Sequence, residues 1–123
     1  MAKKTNNNAL SVKDFFAKIK ALEEREDVIF ELQATKQFKK SINLSYRRNF
    51  DLQLLFDIVE FLAKDKTLPE KYCAHKLKGQ YTGIWECHIK PDWVLMWQEY
   101  RDTLILLLLN AATHSDFMGK RKK

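Results

Sequence analysis

Apolar positions recur along the chain with two different periods, and the switch between them separates helices from strands. Val12, Phe15, Phe16, Ile19 and Leu22 form a stripe at helical spacing. Ser11 stands before it and Asp14 three residues later, the spacing of a capping box, so a helix is predicted over residues 12–24. Val28-Ile29-Phe30-Glu31-Leu32-Gln33-Ala34 reads instead as a strand with Val28, Phe30, Leu32 and Ala34 on one face. Thr35 is placed to cap a helix that carries Phe38 and Ile42 inward. Asn49 is placed to cap the next, whose stripe is Leu55, Ile58, Val59 and Leu62.

Periodicity fails over residues 65–83, where Pro69, Gly79 and Gly83 predict a long connection of the kind that often carries function. Strands resume at residues 84–89, 93–100 and 103–111, separated by Pro91-Asp92 and Arg101-Asp102 as turns. Residues 104–109 are apolar throughout, the pattern of a central strand buried on both faces. The order predicts an α+β fold: a small, largely antiparallel twisted sheet of about four strands, a helical pair on one face, and an extra N-terminal helix.

Composition narrows the class. The 123 residues suit one domain, and a hydrophobic fraction of 46% excludes a wholly disordered chain. Two cysteines are too few for a disulfide scaffold, which points to the reducing cytoplasm. No apolar run approaches the roughly 20 residues that cross a bilayer, so no membrane association is expected. Residues 1–8 are basic, then polar, with no apolar segment behind them; they read as disordered rather than as a secretory signal.

The net charge of +6 sits at the ends. Residues 1–26 carry a net +2 and Lys120-Arg121-Lys122-Lys123 a further +4, leaving the middle neutral. Basic tails attract nucleic acid. Within the middle, Lys36, Lys39, Lys40, Arg47 and Arg48 run without an acid between them, and Asp51, Asp57, Glu60, Asp65 and Glu70 follow. Opposite charge on two successive helices suits an antiparallel hairpin.

The three histidines, His75, His88 and His114, each fall near a strand end or in a connection, and a meander can bring alternate strand ends together. Cys73, His75, Cys87 and His88 offer four zinc-ligand types, but the spacing matches no zinc pattern. Cys87 and His88 are neighbours on a predicted strand and point to opposite faces. Cys87 shares its face with Trp85 and Ile89 and reads as core rather than as a nucleophile. No metal and no cofactor are therefore expected.

Several blocks, in order, resemble one family. They are Thr35-x-Gln37-Phe38-Lys39-Lys40, Leu68-Pro69-Glu70-Lys71-Tyr72, His75-Lys76-Leu77-Lys78-Gly79, Glu86-Cys87-His88-Ile89-Lys90-Pro91-Asp92-Trp93 and Thr113-His114-Ser115-Asp116. Together they resemble the YafQ branch of the RelE-type toxins, over residues 28–119, with residues 1–27 as an N-terminal extension and residues 120–123 as a basic tail. The resemblance implies a RelE-like helix pair on a twisted sheet. It implies a cytoplasmic bacterial ribonuclease that cuts mRNA in the ribosomal A site, with the ribosome and its rRNA as partners and a cognate antitoxin that holds it inactive.

The resemblance also maps roles. His75, His88, Asp92 and His114 fall at the family's active-site positions, and Trp93 at an aromatic beside them. The RNA 2′-hydroxyl is itself the nucleophile, so the protein supplies a base, an acid and positive charge, and imidazole suits both proton roles near neutral pH. The expectation is His114 as acid, Asp92 or His75 as base, and His88 orienting or touching the phosphate. Two departures stand out. Asn110-Ala111-Ala112 replaces the family's Arg-Thr-Gly, so a neutral amide stands where a guanidinium would, leaving Lys36, Lys78 and the tail as substitutes. Phe117 is shifted by one from the family aromatic that stacks on a base. The alternative is a weakened RNA-, ribosome- or antitoxin-binding module. A purely structural partner protein is the remaining rival.

Overall fold

The computed structural model describes residues 10–116, so the basic tail, Phe117 and residues 1–9 lie outside the described residues. Three helices come in the first half: α1 (Val12–Leu22), α2 (Lys36–Arg47) and α3 (Leu52–Ala63). The strands are β1 (Glu31–Ala34), β2 (His75–Lys76), β3 (Trp85–Lys90), β4 (Trp93–Tyr100) and β5 (Ile105–Ala112). They form one sheet in the order β1-β5-β4-β3-β2, antiparallel except where β1 runs parallel to β5. The fold is α+β, with one strand more than the sequence pattern predicts. The extra strand is β2, two residues long and therefore too short to show a period.

The caps explain the helix starts. Ser11 Oγ accepts the Asp14 N–H at 3.0 Å, and Thr35 Oγ1 accepts the Phe38 N–H at 3.0 Å. Asp51, not Asn49, caps α3, its Oδ1 accepting from Gln53 N–H at 3.1 Å. Asn49 instead ends α2 with φ 64°, a left-handed turn that asparagine tolerates better than most residues.

Helix α1 is part of the main core. Phe15 and Leu22 are fully buried, and the Phe15 ring meets Phe16, Phe38 and Phe56 at 5.2, 6.3 and 6.5 Å between centroids. Arg25, just past α1, binds Asp27 at 3.0 Å and Glu60 of α3 at 2.8 Å, and Lys64 bridges the same two acids.

Strand β5 is central, but the described residues fully cover only one of its faces. Leu106, Leu108 and Ala111 enter the core with Leu95, Trp97 and Cys87, whereas Ile105, Leu107 and Leu109 are half-exposed. Residue 104 belongs to the preceding turn: Leu104 has φ 57° and is exposed. The expectation of a strand buried on both faces fails here, because an apolar side chain at the edge of a half-open face leaves the same mark in the sequence as one in a core.

Beyond Leu108, β5 outruns β1 and its edge is met by α2. Ser41 Oγ accepts the Ala111 N–H at 3.1 Å, and Ser45 Oγ donates to the Ala111 carbonyl at 3.4 Å. Two buried serines one helical turn apart thus continue the ladder that β1 leaves unfinished. They fix the end of β5, from which the chain passes to His114.

Candidate active site

The register of the sheet assembles the site. His88 pairs with Val94, and Val94 with Ala112, so His88 and the end of β5 share one row across three strands. His114 lies two residues past that row, and Asp92 lies in the turn joining β3 to β4. The outcome is a cluster. Asp92 Oδ1 accepts the His114 backbone N–H at 3.2 Å and lies 3.2 Å from His114 Nδ1. The His88 and His114 rings are 5.6 Å apart and tilted by 48°. Side-chain exposure of 48% for His114 and 66% for Asp92 leaves both open to a large substrate.

His75 belongs to the row two residues further along β3, which runs His75, Glu86, Met96, Asn110 across four strands. Its Nδ1 lies 2.7 Å from the Cys73 carbonyl and its Nε2 3.3 Å from Glu86 Oε1. Both ring nitrogens therefore face acceptors. At the far end of the same row Asn110 is three strands away, on the order of 14 Å.

The other residues singled out in the sequence fall less simply. Trp93 is 2% exposed; its ring packs on Phe50 at 4.9 Å between centroids and its Nε1–H donates to Ser45 Oγ at 3.2 Å. It stands as a wall behind the site, with little of its ring left for a substrate to meet. Lys78 follows β2 at the opposite end of β3: Leu77 N–H bonds to Ile84 O, four residues or about 13 Å of strand from His88. Lys36 is exposed on the first turn of α2. Lys40, not Lys36, lines the small cavity of about 180 Å³ that Asn110 shares with Gln37, Leu44 and Asp116. The Asn110 Oδ1 atom is buried without a hydrogen-bond partner among the described residues. Phe117 lies outside the described residues.

Arg48, the last of the basic run that begins at Lys36, joins the cluster through Asp116. Its two terminal nitrogens bind the two carboxylate oxygens of Asp116, each at 3.1 Å. Asp116 Oδ2 also accepts the Thr113 N–H at 3.0 Å, and Asp116 N–H donates to Thr113 Oγ1 at 3.2 Å, closing the turn that carries His114. The hydrogen bonds from Arg48 hold the Asp116 carboxyl below the usual carboxylate range. With Ser41 and Ser45, Arg48 completes an i, i+4, i+7 polar stripe on α2. That stripe was the available signal, since polar residues at core spacing need partners.

Among the described residues, no three His, Cys, Asp or Glu side chains converge so as to hold a metal ion. Cys87 is buried, and desolvation pushes its thiol up to about 12, whereas Cys73 is exposed. Thiol titration of the native protein is expected to show one fast cysteine, and Cys73→Ser should remove it; fast reaction at Cys87 would mean a looser sheet than described here.

The sequence and the fold have counterparts. Residues 30–119 match the family described as bacterial toxin of type II toxin–antitoxin system, YafQ. The chain belongs to the YafQ toxin family. The mRNA interferase toxin YafQ of Escherichia coli K12 is 28% identical over 90 residues, 72% of this chain and 96% of that protein. A metal-bound toxin from Helicobacter pylori superposes with a TM-score of 0.67 at 34% identity, covering 71% of this chain and 97% of that one. The E. coli DinJ–YafQ toxin–antitoxin complex gives a TM-score of 0.67 at 25% identity, over 75% of this chain and all of its counterpart. The YafQ match begins after α1, so α1 and its phenylalanines are additional to the matched segment.

Proposed function

We propose that this YafQ-family toxin is an mRNA endoribonuclease, acting in the cytoplasm on mRNA in the ribosomal A site and held inactive by a cognate antitoxin. The reading is carried by the approach of His88 to His114, with Asp92 against His114, in a family whose curated relatives are mRNA interferases. The DinJ–YafQ complex supports an antitoxin as partner.

RNA brings its own nucleophile. The 2′-oxygen attacks the neighbouring phosphorus, and the bond from phosphorus to the 5′-oxygen breaks. The products are a 2′,3′-cyclic phosphate and a free 5′-hydroxyl. One proton leaves the 2′-hydroxyl, one arrives at the 5′-oxygen, and the phosphorane between them carries extra negative charge. His114 is the acid: with Asp92 on Nδ1, a proton there is held and Nε2 is the exchanging atom. Asp92 orients His114. His88 is the base, since its ring lies beside His114 and makes no hydrogen bond among the described residues. His75, engaged by Cys73 and Glu86, braces the edge of the site. Each proton transfer is worth about 10²–10⁴-fold.

Primer extension on translated mRNA tests the activity. Free RNA tests the chemistry: slow cleavage to 5′-hydroxyl fragments is expected in excess chelator, and strict dependence on added zinc, copper or manganese would overturn the two-histidine step. The neutral Asn110 favours a second reading, a binding module without cleavage. Ribosome or antitoxin binding with no cut in either assay would select it.

A further inference from the structure

The described cluster is rich in negative charge. Asp92 and Asp116 flank His114, and Glu86 stands against His75. A phosphodiester gaining charge in its transition state needs a cation fixed nearby, and neither the Asn110 amide nor Lys78 at the far end of β3 supplies one. We propose that Arg48 binds the scissile phosphate and is the phosphorane-stabilising cation of this toxin, an inference that rests on the ribonuclease reading above.

Five observations support the assignment. Arg48 is tied to the turn that carries His114 by the bidentate grip of Asp116. Asp116 is itself held by Thr113, so the guanidinium is positioned before substrate arrives. The grip uses one N–H from each terminal nitrogen, which leaves three of the five donors for a phosphate. The side chain is 37% exposed, so those donors can be reached. Asp92 adds to the field that keeps Arg48 charged. Lys71 and Lys90 border a cavity beside His88, but among the described residues no carboxylate holds either ammonium, and Lys71 lies over the Tyr72 ring at 5.2 Å; a cation not already fixed must be ordered at the moment of reaction.

The rival role is purely one of positioning, with Arg48 acting on His114 through Asp116. The two roles separate in single-turnover cleavage of ribosome-bound mRNA, made with a normal scissile phosphate or with one non-bridging oxygen replaced by sulfur. Sulfur disturbs a direct Arg48–phosphate contact, so the parent should cut the sulfur substrate more slowly. Arg48→Gln is expected to cost about 10²-fold on the normal substrate and to lose the sulfur penalty. Arg48→Lys should retain part of the rate with a reduced penalty. If Arg48→Gln slows both substrates by the same factor and keeps the penalty, Arg48 only positions, and the proposal is overturned. Parental rates in both variants overturn it as well. If Arg48→Gln does not fold, the sulfur comparison in Arg48→Lys decides alone: an unchanged penalty overturns the contact. A parent that cuts neither substrate refutes the ribonuclease reading itself, a failure distinct from the other two.

Discussion

Expressed without antitoxin, the His114→Ala variant is expected to permit growth where the parent arrests it. Its single-turnover cleavage of translated mRNA should fall about 10²–10⁴-fold, the worth of a placed general acid. The expectation follows from geometry. His114 is fixed at its backbone N–H and at Nδ1 by the same Asp92 oxygen, which directs Nε2 outward. Folding should survive the change, since the side chain is about half exposed and meets the His88 ring and the exposed Asp92 carboxylate rather than the core. A melting temperature within a few degrees of the parent would therefore separate lost chemistry from lost structure. Asp92→Asn should cost less than His114→Ala, because an amide can still hold the turn while failing to stabilise the imidazolium. A well-folded His114→Ala protein that still cuts at the parental rate would remove the acid from the scheme, and the pairing with His88 would need another purpose.

Some of this site was legible in the sequence and some was not, for identifiable physical reasons. Alternation located β3 and β4 and put Cys87 inside, because each is several residues long with one face in the core. Asp92 and His114 sit in the turns that follow strands, and His88 lies two residues before the end of β3, so turn chemistry already marks their neighbourhood. What escaped depends on contacts distant in sequence. Arg48 meets Asp116 across 68 positions, and no local pattern announces that pairing. Ser41 and Ser45 are ordinary helix residues until β1 stops short of the end of β5. Asn49 and Asp51 are both competent caps, and the choice between them turned on which residue could take the left-handed turn. The run at residues 104–109 misled because sequence records apolar character but not whether a second layer of helices covers it, and among the described residues none does.

The largest stability effect is expected at α1, outside the segment matched by the YafQ family. Phe15 is fully buried among Phe16, Phe38 and Phe56, so Phe15→Ala removes a ring from the junction of all three helices. Phe→Ala substitutions in cores cost about 3–5 kcal/mol, the lost transfer energy plus that of the cavity left behind. For a domain of this size each kcal/mol lowers the melting temperature by roughly 3–6 °C, so a fall of about 10–30 °C is expected. Arg25→Ala gives the contrast. Its ion pairs with Asp27 and Glu60 are solvent-exposed, and exposed pairs contribute little, so its melting curve should nearly overlay the parent's. Deleting residues 1–24 should go further and bare Phe38 and Phe56 together, read as binding of a hydrophobic dye and loss of a cooperative transition. If instead Phe15→Ala melts within about 2 °C of the parent, α1 is not part of the cooperative unit. The domain would then stand on α2, α3 and the sheet, and residues 12–22 would have to be explained by something other than stability.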